Sequence, residues 1–465
     1  MRRLAIRLLA ASLLIAPAPA FALFHFYIIN EIYSNASGTI QYVELTALAG
    51  SQQFVSGHSL TSTSGTTKTF TVPSDLPGDT SGRRMLFGTA GVSAAFGLTP
   101  DYIIPDGFLF LAGGTLNWGE SSDIWNHPAI PTNGMSLNRA SGNVITTGPP
   151  TPQNFAGVVG APATRHSDFN ADFRSDILWR DTLPTGYVYE WQMNGLTVVN
   201  QGYLPTVPSS WTPVGIGDID GDGKADVFWR EETGLDYLWT MNGLALGPTA
   251  GYLPTVPVGW NVVGIGDADG DGKADVFFRN PGTGEMYLWL MNGLTLVGQG
   301  YLPTVTGADW EVVGVADVSG DGKADVLWRN NISGLNYLWI MNGLTVSSQG
   351  YLPSVPDTNW EIVGTPDANA DRKADVFWRN KSTGDTYLWI MDGLVVTSQG
   401  FMPTVADNNW KVMGYGDYDG DGRGDIFWRN AVTGQTYLWT LNGLTVATQG
   451  YLPTVTGANW VPIKR

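Results

Sequence analysis

The sequence predicts an all-β protein in which a β-propeller of about fifty-residue repeats follows a smaller β-sandwich. Three observations carry this. Residues 168–465 repeat themselves: an Asp-rich nonapeptide begins at Asp168, Asp218, Asp267, Asp317, Asp367 and Asp417, at spacings of 50, 49, 50, 50 and 50, and self-similarity at a fixed period fixes architecture ahead of any local signal. Each unit, such as DIDGDGKADVFWREETGLDYLWTMNGLALGPTAGYLPTVPVGWNVVGIG from Asp218 to Gly266, holds four short β-branched or aromatic stretches between Gly, Asn or Pro turns, which reads as four strands. The repeat is also out of phase with its own ends. Asp168 follows GAPATRHS instead of a strand, and the missing strand stands at the C-terminus as WVPIKR, Trp460 to Arg465.

Composition agrees. In 465 residues, 59 Gly and 27 Pro stay below the roughly 25–30% that marks low complexity, and 12% aromatic residues ask for packed cores. The absence of Cys excludes disulfide staples, thiolate catalysis, zinc-thiolate sites and iron–sulfur clusters. A formal net charge of −17 argues against a nucleic-acid partner.

Residues 1–22 open with Arg2, Arg3 and Arg7, continue through the apolar stretch Leu8 to Ile15 and end in Ala20-Phe21-Ala22. Basic start, short apolar centre and small-x-small exit are the marks of a secretory signal, expected to be cleaved after Ala22. The apolar run is shorter than the ~20 residues of a spanning helix and is broken by Pro17 and Pro19. Cleavage takes the charge from −17 to −20, and a product that is secreted, periplasmic or at the cell surface is expected, with no transmembrane segment.

Residues 23–160 contain alternating stretches, Ile28-Ile29-Asn30-Glu31-Ile32 and Tyr42-Val43-Glu44-Leu45, then GFLFLAGG and SLNRASGNVITTGPPTPQNFAG. These are strands of a small β-sandwich; the plainer alternative, an unrelated sandwich, makes Glu31 and Glu44 ordinary surface carboxylates. GAPATRH, from Gly160 to His166, reads as a linker.

Residues 161–465 form the propeller, where neighbouring units cover both faces of each four-stranded sheet. The C-terminal strand is expected to complete the unit holding Asp168, so that the first blade is stitched from both termini. Six blades follow, or seven if a divergent unit lies within residues 130–160. Three places per repeat carry an indole: Trp179/229/328/378/428 with Phe278 as the exception, Trp191/239/289/339/389/439, and Trp211/260/310/360/410/460. Regular spacing favours blade-to-blade packing, with a ring of exposed sugar-stacking indoles as the alternative.

The Asp loops are the candidate metal sites. In repeat two, Asp218, Asp220, Asp222, Lys224 and Asp226 alternate, with Gly221 and Gly223 at the bends. Oxygens at alternate places of a tight turn converge on one point, and hard oxygen ligands suit Ca2+. The other sets are Asp168, Asn170, Asp172, Arg174 and Asp176; Asp267, Asp269, Asp271, Lys273 and Asp275; Asp317, Ser319, Asp321, Lys323 and Asp325; Asp367, Asn369, Asp371, Lys373 and Asp375; and Asp417, Asp419, Asp421, Arg423 and Asp425. A basic seventh residue cannot ligate a cation, so its backbone carbonyl is expected to serve while its charge points outward. An EF-hand needs Glu at the twelfth place and flanking helices; the twelfth residues here are Trp or Phe within strands. Loops one and five replace the turn glycines with Ala171 and Phe173, and with Ala370 and Arg372. Up to six Ca2+ are expected, tightest at repeats two, three and six and weaker at one and five.

DIDGDGKADVFWR (Asp218–Arg230) and DYDGDGRGDIFWR (Asp417–Arg429), with a WxVVGxGD-like strand such as WNVVGIGD from Trp260 ahead of each Asp loop from the second onward, resemble the FG-GAP or VCBS repeat of integrin-type propellers. The resemblance covers residues 168–465 and implies a calcium-stabilised propeller, commonly seven-bladed, with a binding or adhesion role. INEI, YVEL and the SLNR/TPQNFAG ending resemble a lamin-tail domain, an immunoglobulin-like sandwich found in secreted bacterial proteins, which implies tethering or binding. A related seven-bladed mushroom propeller with similar calcium loops binds amino sugars between blades, which makes a calcium-dependent lectin the alternative, with YLWxMNG and QGYLPTV as inter-blade pocket or as core strand and outer turn.

Catalytic machinery is sparse. His25, His58, His127 and His166 form no metal-spaced pair, no G-x-S-x-G motif is present, and His127 near Asp123 and Trp125 reads as an exposed loop. The chain is therefore expected not to be an enzyme, a glycan-active lyase or hydrolase on a propeller being the second alternative. The partner is expected to be an extracellular protein or glycan, and the oligomeric state stays open. Of 34 acids in residues 161–465, 21 sit at ligand positions, and six Ca2+ would take that region from −16 to −4. The acidity is thus a statement about cations and not about partners.

Overall fold

The computed structural model describes residues 26–35, 38–132, 135–140, 143–148, 150–160 and 167–463. The expected leader, most of the linker, His25 and His166 lie outside them.

The described residues are strands apart from one short helix, Val92–Phe96, closed by Gly97 at φ 66°. Residues 27–148 make two sheets. The six-stranded one runs Val144–Gly148, Ser136–Ala140, Tyr27–Ser34, Gln41–Ala47, Arg84–Gly88, Tyr102–Ile103. The four-stranded one runs Thr66–Thr71, Ser59–Ser64, Gly114–Trp118, Asp123–His127. Ile29, Val43 and Phe87 from the first share one core with Leu60, Leu116 and Trp118 from the second, as two half-apolar sheets must. The Ser136–Ala140 and Val144–Gly148 hairpin belongs to this six-stranded sheet, so the segment considered for a seventh blade is used here.

Two groups in this domain lie deeper than expected. Glu31 and Glu44 are not surface groups but fully buried partners across adjacent strands. They accept hydrogen bonds from the chain that returns over the sheet: Thr151 N–H to Glu31 Oε1 at 3.0 Å and Gln153 N–H to Glu44 Oε2 at 2.6 Å. Tyr42 donates to Glu31 at 2.6 Å and Arg84 pairs with Glu44. Burial pushes the Glu44 carboxyl up to about 7. INEI, YVEL and TPQN are thus one clamp. His127 sits on a strand, not in an exposed loop; it is buried, with Nδ1 against the Pro128 carbonyl at 2.8 Å, and burial lowers its pKa.

Residues 177–462 form six four-stranded antiparallel sheets. In sheets two to six the strand leading into the Asp loop (Trp211–Gly217, Asn261–Gly266, Trp310–Ala316, Trp360–Gly364 or Trp410–Gly416) stands at one edge. These strands contact one another in succession, and those of sheets three to six line a cavity of about 200 Å3 with Val263, Val312, Ile362 and Val412. In the first sheet that place is taken by Trp460–Pro462, antiparallel to Ile177–Asp181 with Val461 opposite Arg180. Repeat two, one residue short, keeps only Gly251–Tyr252 of its outer strand, where Pro248 removes a ladder donor.

Each sheet buries its faces on its neighbours. Phe228 and Leu238 of sheet two pack with Val276, Phe278 and Trp289 of sheet three; Trp179 and Trp191 of sheet one pack with Phe427 and Leu438 of sheet six. The first two Trp series are buried in these seams, with edge-on pairs such as Trp328–Trp339 at 5.0 Å. The third series is half-buried at the surface. Six arginines repeat a wedge: each donates to the carbonyl of its own PTV turn (Arg329 Nη2 to Val355 O, 3.1 Å) and lies over the ring of the next sheet (Arg329 on Trp378, 4.8 Å). The series closes with Arg429 over Trp179 at 5.7 Å.

Deleting residues 460–465 unpairs the inner edge of the first sheet and is expected to lower the melting midpoint by about 5 °C or more, from the few kcal/mol of lost ladder and packing. Scanning calorimetry with an unchanged midpoint would remove this strand from the account of closure.

Candidate metal centre

In sheets two to six the Asp loop joins the inner strand to the one beside it, and in the first sheet it leads into Ile177–Asp181. The ninth-place Asp is buried and spoken for by backbone: in repeat two Asp226 Oδ2 accepts the Ile219 N–H at 2.9 Å and Oδ1 the Met241 N–H at 3.1 Å. The same two bonds recur at Asp176, Asp275, Asp325, Asp375 and Asp425. The first-place Asp holds the bends; Asp218 Oδ1 accepts Gly221 N–H at 2.8 Å and Oδ2 accepts Gly223 N–H at 2.9 Å. The carboxylates therefore shape the loop as Asx turns do, besides offering oxygens to a cation.

The loops are also tied in a circle. The eighth-place N–H of each donates to the first-place carbonyl of the loop before it, from Ala225 to Asp168 at 2.7 Å through Ala324 to Asp267 at 2.5 Å, and Ser175 to Asp417 at 2.6 Å closes it.

Three groups of carboxylates converge, with ligand oxygens within 4.8 Å of one another: Asp218, Asp220 and Asp226; Asp267, Asp269 and Asp271; Asp417, Asp419 and Asp425. They lie in repeats two, three and six. An all-oxygen donor set converging in this way fits Ca2+, which takes hard oxygen ligands. The electrostatics fit as well. Burial, then the neighbouring carboxylates, push Asp218 up to about 8 and Asp226 well above the carboxylate range; Asp275 is pushed up to about 8, mainly by burial. Asp419 is raised and Asp425 raised strongly for the same reasons. A cation seated among them is what would restore their ionisation.

Asp222 and Asp421 stand apart from their triads, and this corrects the expected outward direction of the seventh side chain. Lys224 Nζ turns back onto Asp222 Oδ2 at 2.5 Å, Lys273 onto Asp271 at 3.0 Å, Lys323 onto Asp321 at 3.5 Å and Arg423 onto Asp421 at 2.7 Å. Arg174 lies 3.8 Å from Asp172, and Lys373 takes Asp392 at 2.8 Å instead. The cause is local: the fifth-place Oδ1 already accepts the seventh N–H, 2.9 Å from Lys224 to Asp222, which leaves Oδ2 on the side of the basic chain. In loop four Asp317, Ser319, Asp321 and Asp325 keep the turn bonds without forming a carboxylate triad.

The turn glycines of loops two, three, four and six sit at φ 77–88°. Ala171 (59°), Phe173 (70°), Ala370 (62°) and Arg372 (68°) hold the same conformation in loops one and five, at roughly 1 kcal/mol each. The Asp168 and Asp367 loops retain the backbone bonds, from Phe173 N–H at 2.9 Å and Arg372 N–H at 2.8 Å. Asn170 and Asn369 stand at their third places and accept the Asp172 and Asp371 N–H groups at 2.8 and 3.1 Å.

Two stretches match the FG-GAP-like repeat. They are residues 168–229 and 235–328, from the first Asp loop into the fourth sheet. No curated protein matches the chain. Similar solved structures include the nidogen–laminin complex (TM-score 0.42, 11% identity, 62% of this chain and 96% of that one) and the periplasmic gluconolactonase of Pseudomonas aeruginosa (0.42, 11%, 71% and 94%). A dihydro-heme d1 dehydrogenase stands with them (0.35, 13%, 65% and 58%). Enzymes thus occur beside a protein–protein complex, and likeness at these scores assigns no activity to the FG-GAP-like sheets.

Among the buried acids outside the Asp loops is one at a place the other repeats keep apolar. Glu190 lies where repeats two to six carry Leu238, Leu288, Leu338, Leu388 and Leu438. Its carboxyl, pushed up to about 7 by burial, accepts from Gln192 at 3.0 Å. Aligning the repeats column by column exposes it.

A loop carboxyl whose folded pKa is about 8, against about 4 unfolded, is held more tightly as the acid in the fold. In cation-free buffer this contribution is full at acid pH and is lost as pH rises to about 8, while cation binding strengthens as protons leave. The gain in melting temperature on adding Ca2+ is therefore expected to be larger at pH 8 than at pH 5; calorimetry finding equal gains would contradict the assigned ligands.

Proposed function

We propose that the chain is a secreted, calcium-binding, six-bladed β-propeller with a lamin-tail-like N-terminal domain, acting as a non-catalytic binding or adhesion module at or outside the bacterial cell surface. The observation that carries it is the convergence of three carboxylates, one of them buried, in each of repeats two, three and six. Six sheets packed in a closed series support the blade count. The Glu31 and Glu44 clamp on the TPQN segment links the motifs behind the lamin-tail reading, and residues 1–22 support export. The abundant carboxylates are engaged by loop backbone and by basic side chains, which removes them from general acid–base work.

A second reading, calcium-dependent glycan binding, is favoured by one further observation. Tyr203, Tyr252, Tyr301, Tyr351, Phe401 and Tyr451 are 64–70% exposed. Each packs on the Tyr of the neighbouring strand at 4.6–4.8 Å. The third Trp series stands beside them, as Trp211 does at 6.2 Å from Tyr252. Equivalent flat aromatic surfaces at the sheet ends remote from the Asp loops suit repeated sugar stacking.

Isothermal titration of the chelated protein is expected to show tight Ca2+ sites at repeats two, three and six and weaker ones elsewhere, and Asp226→Asn to remove one tight site. Six equal sites, or no heat, would refute the ranking. A glycan array run with and without EDTA separates the functions: multivalent, calcium-linked binding establishes the lectin, and silence supports adhesion to protein.

A further inference from the structure

The two loops that lack turn glycines are the two seen to reach the N-terminal domain. Phe173, at the sixth place of loop one, is buried in an aromatic cluster with Tyr33, Tyr42 and Phe96, its ring 5.8 Å from those of Tyr33 and Phe96. Arg372, at the sixth place of loop five, donates from Nη1 to the Phe96 carbonyl at 3.2 Å. It also lies across Gly97, where an added Cβ would meet its Cδ at 2.5 Å. The same loop position, in two loops that are not neighbours in the ring, thus converges on one target, the C-terminal end of the helix Val92–Phe96.

We infer that loops one and five are docking elements, in which the residue replacing the sixth-place glycine latches the N-terminal domain onto the loop end of the propeller. The geometry explains the choice of position. A side chain at the sixth place, held at φ 70° or 68°, meets Tyr33 and Phe96 from loop one and the Phe96 carbonyl from loop five, and glycine in loops two, three, four and six leaves nothing there to reach out. The strained backbone is held in place because Phe173 is buried and Arg372 half-buried under the other domain. Docking also brings Met135 and Pro150 to the wall of a cavity of about 650 Å3 at the loop end of the ring, which Asp218, Asp267 and Asp317 line from the propeller side. The N-terminal domain therefore covers the end of the ring that carries the candidate cation sites. This inference does not depend on cation binding; it rests on two side chains and the helix end they meet.

The test is the full chain with Phe173→Gly and Arg372→Gly together, which gives loops one and five the residue the other four carry. Backbone strain is relieved, so the propeller's melting midpoint is expected to stay or rise. Hydrogen-exchange protection of Val92–Phe96 is expected to fall by about tenfold or more, and small-angle scattering to show a larger radius of gyration as the domains part. Unchanged protection and an unchanged radius in the folded double variant would overturn the inference. Should the double variant not fold, Arg372→Gly alone, which leaves the aromatic cluster whole, is read by the same two measurements.

Discussion

A four-stranded sheet that is apolar on both faces has to find two neighbours, and only a ring gives every sheet two. This constraint governs the larger part of the molecule. It explains why Trp179 and Trp191 are packed against residues of the last repeat, and why the arginine wedge runs from each sheet to the next and returns from Arg429 to Trp179. It also explains the loop-to-loop bond that closes from Ser175 to Asp417. Each of these contacts is modest alone, about 1 kcal/mol for an ordinary hydrogen bond or cation–π pair. Repetition around a closed path makes them cooperative, because no sheet can tilt without disturbing two seams.

Much of this was legible in the sequence because a repeat multiplies every signal. One Asp-rich nonapeptide would say little, whereas six at a fixed period specify a turn between strands, and a unit that begins and ends out of phase discloses how the ring is closed. What escaped was aperiodic or depended on side-chain direction. Glu31 and Glu44 alternate with apolar residues as surface carboxylates do, and only the returning segment at Thr151 and Gln153 buries them. The seventh-place Lys and Arg, expected to point their side chains outward, turn them back because the fifth-place Asp presents its second oxygen to them. The contact of Arg372 with Phe96 spans 276 residues and has no counterpart in the other repeats.

The Asp loops show how one side chain serves two ends. The first- and ninth-place carboxylates accept backbone N–H groups that would otherwise be buried without partners, so the loop has a shape of its own. The same burial and crowding raise the free energy of their charges. A divalent cation relieves that without remaking the turn. Loops one and five retain the scaffold while departing from the charge and the glycines, which is why residues there are free to take up other contacts.

The seam between the first sheet and the last strand sets a schedule. Asn459 donates to Asp181 at 2.7 Å across 278 residues of chain, and the inner strand of the first sheet is Trp460–Pro462. Five sheets are each completed by residues close in sequence, yet the first waits for the last. Contacts so distant form slowly, so an emerging chain holds its first sheet unfinished until Trp460–Pro462 have been made, and the series of sheets closes into one cooperative body only then.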